Sequence, residues 1–310
     1  MRAVTMSEFG ASPVLCHDVP EPLAGPGQVI VRVQASSVNW VDADIAHGMF
    51  PQTAPHEPPI TLGHDFAGTV AAVGAGVRTV EVGDEVFGTI SVAGPVREGA
   101  WAELVATGEC TLTRKPAAVD TATAGVAALA GTVAVMSVDA LNLAPGETVL
   151  VIGATGGVGG VAVQLARAAG AIVLAPGLPE DEEYLRGLGV SEVLPRGDAA
   201  EVIAAVRKPH PGGVDALLDA VTAYEITPFA DVVRDGGRIA SPTDAAGYGP
   251  GCTNITHGPC TEILDRVARH LADGTFTIAL QGSYDLGDAA KALQALTAHH
   301  TRGKIAVRVA

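Results

Sequence analysis

The 310-residue chain contains few cysteines and few charged residues. Its four cysteines are scattered along the sequence, a usage typical of a reducing cytoplasm rather than of a disulfide-stabilised secreted domain. Charged residues make up only 17% of the chain and hydrophobic residues 48%. This composition excludes a disordered or tail-like protein and predicts a sizeable buried core.

Clusters of positive charge and long apolar runs are also missing. The net charge is −15 and no Lys/Arg cluster stands out, so we expect neither nucleic acid nor an anionic membrane as a partner. The N-terminal residues show no signal-peptide pattern. The most apolar run, residues 124–138, is shorter than the roughly 20 residues that a membrane span needs. We therefore expect a cytoplasmic protein in which this run forms a buried helix.

Two patterns of hydrophobic residues divide the chain. The first 110 residues or so carry alternating Val- and Thr-rich runs such as "QVIVRVQASSV" between glycine turns, which predicts a compact, barrel-like β domain. From about Asp120, unbroken apolar runs ("TVLVIGA", "AIVLA", "VDALLDAV", "GRIAS") separate helical stretches, as in a parallel sheet with helices on both faces. The Pro/Gly-rich residues 244–259 are a candidate linker. The final "KIAVRVA" alternates again and is expected to pair with the first strands.

The stretch "VLVIGATGGVGGVAVQLARAAGA" joins a buried strand, Thr148–Ile152, to a helix predicted over residues 158–169. Its glycine spacing is a variant of G-x-G-x-x-G. Because a strand precedes it and a helix follows, the turn predicts a site for the diphosphate of a dinucleotide, bound by free backbone N–H groups and the helix dipole. The alternative is a tight turn without a ligand. The predicted cofactor contacts are Gly153, Thr155, Gly156, Gly157, Val158 and Gly159.

The next strand, "IVLAPG", ends without the acidic residue that usually binds the ribose hydroxyls of NAD. That absence favours NADP. Residues 180–183 are all acidic, and they would repel a 2′-phosphate that they faced, or else belong to the first turn of a helix after Pro179. Arg196 is the best remaining partner for the phosphate or for the adenine ring, the alternative being an ordinary surface arginine.

The ordered motifs "SSVNWVDADIAHG", "ITLGHDFAGTVAAVG", "VGDEVFG", "EGAWAELV", "GATGGVGGVAVQLARAAGA", "LRGLGV", "DGGRIAS" and "HTRGKIAVRV" resemble the medium-chain dehydrogenase/reductase superfamily, in its zinc-independent quinone oxidoreductase (zeta-crystallin-like) branch. The resemblance implies an α/β protein with a GroES-like β-barrel catalytic domain, residues 1–120 and 256–310, and a Rossmann doubly wound parallel-sheet domain, residues 121–255. It also implies a homodimer that uses NADPH, with NADH as the alternative. The hydride would go to a small-molecule quinone or α,β-unsaturated carbonyl.

The resemblance also implies roles for individual residues. Asn39 and Asp42 would line the cleft beside the nicotinamide, with Asn39 as a hydrogen-bond donor and Asp42 holding a loop or neighbour, or capping a helix or turn. Many relatives carry a tyrosine near Phe50, which has no proton to give. His47, His64 or solvent would then supply a proton. The further implied cofactor contacts are Thr132, Ala220, Ala240 and Ser241.

No metal is predicted. Zinc-dependent relatives carry a cysteine where this chain has Asn39 and a Gly-His-Glu where it has residues 63–65, Gly-His-Asp, so His64 is interpreted as a hydrogen-bonded cleft residue. A second set, Cys252, His257 and Cys260, offers three ligand residues in a loop. Two alternatives stay open. One is a zinc-type alcohol dehydrogenase with altered ligands around His64, and the other is a non-catalytic nucleotide-binding sensor or partner protein, suggested by Phe50 and by the acids at 180–183.

Overall fold

A computed structural model describes residues 1–49, 58–91, 98–223, 225–256, 260–298 and 300–310. The chain divides into two compact units. The first unit comprises Met1–Leu129, Gly258–Asp273 and Ile278–Ala310. The second unit comprises Ala130–His257 and Gly274–Thr277.

The first part of the chain is rich in strands. The elements in chain order are β1 (Ala3–Met6), β2 (Val14–Cys16), β3 (Gln28–Val38), α1 (Trp40–Ala46), β4 (Ile60–Thr61), β5 (Asp65–Val73), β6 (Glu85–Thr89), β7 (Leu104–Gly108), β8 (Leu112–Arg114), α2 (Thr121–Ala124) and α3 (Ala128–Leu141). Helix α3 begins in the first unit and continues into the second. The buried run predicted at 124–138 is thus two helices rather than one.

Strands and helices then alternate. The elements are β9 (Thr148–Ile152), α4 (Gly157–Ala168), β10 (Ile172–Gly177), α5 (Glu182–Leu188), β11 (Glu192–Pro195), α6 (Ala199–Arg207), β12 (Val214–Asp219), β13 (Val233–Ser241) and β14 (Cys252–Asn254). The chain returns to the first unit with α7 (Thr261–Asp273), β15 (Leu280–Asp285), α8 (Ala289–Ala298) and β16 (Lys304–Arg308). Short 3₁₀ helices cover Glu109–Thr111, Pro179–Asp181, Ala230–Val232 and Leu286–Asp288. No helix among the described residues is long and apolar enough to cross a membrane.

The first unit is built on two sheets. The smaller has the order β2-β1-β4, and the larger has the order β15-β16-β3-β5-β6-β8, with β7 also paired to β3. All pairs are antiparallel except β15 with β16. Strand β16 lies against β3 with Ile305 opposite Val38, which confirms the predicted return of the final strand. The side chains of Phe66, Trp101 and Leu112 are almost fully buried in the core of this unit.

The second unit is a single parallel sheet in the order β11-β10-β9-β12-β13-β14. Its central strands carry the unbroken apolar runs that burial on both faces requires. From β9 the chain proceeds outward to β11, then crosses back to β12 and proceeds to the opposite edge. In such sheets ligands bind at the carboxyl ends of the strands where the direction reverses, here β9 and β12. The predicted fold class is confirmed.

Candidate functional site

In the first unit, two buried polar side chains meet at the start of α1. Asp42 lies in the first turn of α1, and one of its carboxylate oxygens accepts the backbone N–H of Asn39, the N-cap residue, at 2.8 Å. The other oxygen accepts the N–H of Gly63 at 2.9 Å and lies 2.7 Å from Nδ1 of His64. Because this carboxylate is surrounded by N–H donors, we assign the imidazole proton to Nδ1 of His64.

The second ring nitrogen of His64 is buried and without a hydrogen-bond partner among the residues that the structure describes. The side chains of His64 and Asp42 are both fully buried, and Nε2 of His64 makes no hydrogen bond within the described part of the chain. A buried polar atom without a hydrogen bond destabilises the folded protein by about 1–3 kcal/mol, so we expect a ligand to form a hydrogen bond with Nε2. With Nδ1 protonated, Nε2 is a hydrogen-bond acceptor when the ring is neutral and a hydrogen-bond donor when the ring is an imidazolium.

Gly63 is required at the turn that delivers His64. Its φ of +97° lies in the left-handed region that side chains disfavour. A Cβ atom at this position would lie 2.4 Å from Cδ1 and 2.8 Å from the backbone nitrogen of Trp101. The indole N–H of Trp101 donates to the carbonyl of Ser37 at 3.0 Å, so the ring is fixed against the turn. The glycine and the tryptophan together fix the backbone next to His64.

The amide of Asn39 is engaged on both sides. Its Nδ2 donates to Oγ of Ser37 at 3.1 Å and to Oδ2 of Asp65 at 3.0 Å, while its Oδ1 accepts from Nζ of Lys304. Both amide hydrogens therefore already have protein partners. Asn39 was predicted to donate a hydrogen bond in the cleft, and in the structure its amide N–H groups donate to Ser37 and Asp65.

Lys304, on β16, was missed by sequence reasoning. Its side chain is 6% exposed, and Nζ also donates to the carbonyl of Val38 at 3.0 Å and lies 3.4 Å from Oδ2 of Asp65. Burial lowers the pKa of Lys304, while the carboxylates of Asp65 and Asp42 oppose that shift. Alternation along β16 places Lys304 on the same face as Ala306 and the exposed Arg308, so the sequence pattern gave no signal for its burial.

His47, the other histidine suggested as a proton donor, has a different setting. His47 is exposed, and its Nδ1 lies 2.7 Å from the carbonyl of Ala43 at the end of α1. Phe50 lies outside the described residues. Of the two histidines suggested as proton donors, His64 is the one that is buried and has an unpartnered nitrogen.

In the second unit, the glycine corner lies between β9 and α4. Gly153 has a φ of +86°, and a Cβ atom there would lie 2.7 Å from Cγ2 of Val221. A Cβ atom on Gly159 would lie 2.2 Å from the carbonyl oxygen of Gly153, so this glycine allows the helix to pack on the turn. Gly156 differs, because the nearest atom to its Cβ position is 3.4 Å away. The corner is close-packed at Gly153 and Gly159 and open at Gly156.

The start of α4 presents bare backbone donors. Gly156 is the N-cap residue and has no side chain to cap the helix. The intrahelical bonds begin with the N–H of Gly160, which donates to the carbonyl of Gly156 at 2.8 Å. The N–H groups of Gly157, Val158 and Gly159 consequently lie at the positive end of the helix dipole without an intrahelical acceptor. Thr155 is buried in the turn before them. These features fit the diphosphate of a dinucleotide.

The turn after β12 meets this corner. The carboxylate of Asp219 accepts the N–H groups of Val221 and Thr222, each at 3.0 Å, and the hydroxyl of Thr227 at 2.5 Å. The turn folded in this way brings Ala220 within 3.7 Å of the Cβ position of Gly153. The predicted residues Gly153 and Ala220 are thus neighbours at the carboxyl ends of β9 and β12.

The other predicted cofactor residues have varied settings. Ala240 is buried on β13 opposite Leu218, and the Oγ of Ser241 accepts the N–H groups of Thr243 at 3.1 Å and Ala245 at 3.2 Å, so this hydroxyl holds its own loop. The hydroxyl of Thr132, on α3, is buried and has no hydrogen-bond partner among the described residues. Arg196 follows β11, is exposed, and donates its backbone N–H to the carbonyl of Gly177 at 3.1 Å.

The settings of the residues considered as metal ligands are as follows. They contain no group of three or more His, Cys, Asp or Glu side chains placed to hold a metal ion. Around His64, the side chains of Asn39 and Asp65 are engaged with each other and with Lys304. Cys252 and Cys260 are free thiols, and His257 of the second predicted set lies outside the described residues.

Two family patterns match successive parts of the chain. The alcohol dehydrogenase GroES-like domain matches residues 25–173, and the zinc-binding dehydrogenase family matches residues 188–307. The chain belongs to the medium-chain dehydrogenase/reductase superfamily. Membership of this superfamily confirms the GroES-like and Rossmann parts of the predicted fold.

Similar proteins are found among curated proteins and solved structures. The phthioceranic/hydroxyphthioceranic acid synthase of Mycobacterium tuberculosis is 32% identical over 94% of this chain, and the chain spans 14% of that protein's length. The NADPH-dependent alkenal/one oxidoreductase of Arabidopsis thaliana chloroplasts is 28% identical over 99% of this chain and 79% of that protein. A mycobacterial quinone oxidoreductase in its native form and mycobacterial Rv1454c complexed with NADPH are each 27% identical over 100% of both chains, with TM-scores of 0.81 and 0.84.

Proposed function

We propose that the chain is an NADPH-dependent reductase that transfers a hydride to a quinone or an α,β-unsaturated carbonyl compound, with NADH as a second cofactor. The observation that carries the proposal is the open glycine corner at the point where the sheet reverses direction. The names of the Arabidopsis enzyme and of the mycobacterial structures support the cofactor and the substrate class. Four free cysteines are consistent with a reducing cytoplasm, and we propose that the reductase acts there as a homodimer without a metal.

Residues of the second unit would hold the cofactor. The N–H groups of residues 157–159 would bind its diphosphate, and Ala220 and Thr132 would contact its nicotinamide half. Arg196 would bind the 2′-phosphate that distinguishes NADPH from NADH. When bound, the cofactor supplies a hydride from its nicotinamide ring.

Residues of the first unit would supply the proton that completes a two-electron reduction. The His64 imidazolium donates the proton on Nε2 to the substrate, and the neutral ring keeps the proton on Nδ1. The Asp42 carboxylate, 2.7 Å from Nδ1, stabilises the imidazolium and fixes the orientation of the ring. An α,β-unsaturated carbonyl needs this proton more than a quinone does, because a quinone accepts a hydride readily and can take its proton from solvent.

Oxidation of NADPH by the purified protein tests the proposal. We expect turnover with p-benzoquinone and with a simple enone, and no loss of rate after treatment with a chelator. A Gly156→Val variant fills the open corner, and we expect it to weaken NADPH binding by at least about tenfold, or ~1.4 kcal/mol. Gly187→Val is the matched control, since no atom lies within 4 Å of that Cβ position.

Three outcomes would contradict the proposal in different ways. Tight NADPH binding without turnover on a broad panel of quinones and enones would indicate a nucleotide-binding sensor or partner protein. Stoichiometric zinc, with activity lost on chelation, would indicate a zinc-type alcohol dehydrogenase. Failure to bind either nicotinamide cofactor would contradict the assignment of the glycine corner as a dinucleotide site.

A further inference from the structure

Lys304 is a buried ammonium group that the proposed proton transfer does not use. It opens β16, which pairs with β3 so that Ile305 lies opposite Val38. This register brings Nζ of Lys304 to the end of β3, where it donates to the carbonyl of Val38 and to Oδ1 of Asn39. The last strand of the first unit therefore reaches the start of α1.

The contact with Lys304 fixes the orientation of the Asn39 amide. An ammonium group only donates hydrogen bonds, so the oxygen of the amide must face Lys304 and the nitrogen must face Asp65 and Ser37. Asn39 also donates its backbone N–H to Asp42, whose second oxygen contacts His64. A continuous series of hydrogen bonds thus runs from Lys304 through Asn39 and Asp42 to His64.

The charges in this series are balanced in pairs. Oδ2 of Asp65 accepts from Oγ of Ser37 at 2.5 Å and lies 3.4 Å from the Lys304 ammonium, while its Oδ1 accepts the backbone N–H of Leu129 at 2.6 Å. Lys304 compensates the negative charge of Asp65, which is fully buried. Asp42 is then the carboxylate that remains to stabilise a positive charge on His64.

We propose that Lys304 is the positioning residue of the Asp42–His64 pair. Its buried ammonium holds the Asn39 amide, and Asn39 in turn orients the carboxylate that contacts the imidazole. This inference rests on the proposed reductase function for its kinetic consequence. Its structural consequence, the protonation and orientation of His64, is measurable without cofactor or substrate.

Substitution of Lys304 by methionine tests the proposal. Lys304→Met removes the charge and the donors but keeps an unbranched chain of similar length. We expect kcat with an enone to fall by about 10- to 100-fold, because the proton donor is misplaced, while the Kd for NADPH stays within about twofold. The matched control is Lys115→Met, since Lys115 is also 6% exposed and donates to the carbonyl of Val119 at 2.8 Å. The control is expected to stay within about twofold in both parameters.

Two further readouts separate positioning from a general structural role. The His64 resonances in ¹⁵N-histidine spectra of the cofactor-free protein are assigned with His64→Gln. We expect a single tautomer with the proton on Nδ1 in the unmodified protein and in Lys115→Met. In Lys304→Met we expect a mixture of tautomers. In a His64→Gln background, Lys304→Met should lower kcat by less than about twofold, since the series of hydrogen bonds then ends at a residue that transfers no proton. Absence of turnover in the unmodified protein would refute the reductase, and the spectra would still test Lys304.

A second variant covers the case in which Lys304→Met does not fold. Lys304→Met/Asp65→Asn removes both buried charges together and leaves no uncompensated carboxylate. We expect this double variant to fold and to retain the kinetic and spectroscopic changes, because Asn39 still lacks its ammonium partner. Normal kcat and an unchanged His64 resonance in the double variant would overturn the proposal and reduce Lys304 to a counter-ion of Asp65. A full further loss of kcat on adding Lys304→Met to His64→Gln would also overturn it.

Discussion

The candidate site of the first unit (the first half) and that of the second unit (the second half) differ in which atoms form them. In the first unit the Asp42–His64 pair consists of buried side chains, whose positions depend on further buried side chains and on their charges. In the second unit the corner between β9 and α4 is bare backbone, and its positive potential comes from peptide N–H groups. The first half is sensitive to the loss of a side chain, whereas the second is sensitive to the addition of one.

The largest effect is expected where a side chain is lost from the first half. His64→Gln retains a donor for Asp42 but cannot transfer a proton, so we expect kcat with an enone to fall by about 10²- to 10⁴-fold. The loss with a quinone should be smaller, since solvent can provide that proton. Steady-state kinetics with both substrates measures the difference.

His47→Gln is the control for this comparison, because His47 is exposed and its Nδ1 lies 2.7 Å from the carbonyl of Ala43 in α1. It should leave both rates nearly unchanged. Equal losses in the two histidine variants would show that His64 has no special role in proton supply.

An intermediate effect is expected from adding one methyl group to each half. Gly63→Ala forces a side chain into a φ of +97° and against Trp101, which should destabilise the protein by about 1–3 kcal/mol or more. Gly156→Ala has an ordinary backbone conformation, with φ −77°, and its Cβ would make one ordinary contact, at 3.4 Å, so the stability should change by less than about 0.5 kcal/mol.

Calorimetric unfolding of the two alanine variants, combined with NADPH titration, separates stability from binding. Gly156→Ala should weaken binding without lowering the melting temperature. The reverse pattern, a stable Gly63→Ala and an unstable Gly156→Ala, would contradict the contrast drawn between the two halves.

The smallest effect concerns the choice between the two cofactors. We expect NADPH to bind more tightly than NADH. Arg196→Ala should lower the ratio of the Kd for NADH to the Kd for NADPH by about tenfold, the contribution of one charge-assisted hydrogen bond. Titration with each cofactor gives the ratio. Arg186→Ala is the control, since Arg186 is an exposed arginine paired with Glu182 in the same unit. An unchanged ratio in Arg196→Ala would mean that Arg196 does not recognise the phosphate.

The same contrast explains what the sequence could predict. The strand, turn and helix of the glycine corner are contiguous, and Thr148–Ile152 was predicted with the bounds that the structure has. The following helix was predicted to end at residue 169 and ends at Ala168, and Gly170 just beyond it has a φ of +86°. Local patterns of this kind are visible in a single sequence because all the interacting residues lie within one segment.

The buried network could not be predicted in the same way. Lys304 and Asn39 are 265 positions apart, and only the pairing of β16 with β3 brings them together. The polar strand β14 was also missed, since residues 252–254 lack an apolar run and were interpreted as part of a linker. In the structure they pair with β13 as the edge of the parallel sheet. Contacts of this kind depend on tertiary register rather than on local sequence.

The position of Trp101 against Gly63 has a practical consequence. The chain has two tryptophans, Trp40 and Trp101, and both belong to the first unit. Trp40 is 57% exposed and Trp101 is fully buried, so a red shift in intrinsic fluorescence during denaturation will come mainly from Trp101. Tryptophan emission therefore reports selectively on unfolding of the unit that carries His64, since the parallel-sheet unit contains no tryptophan.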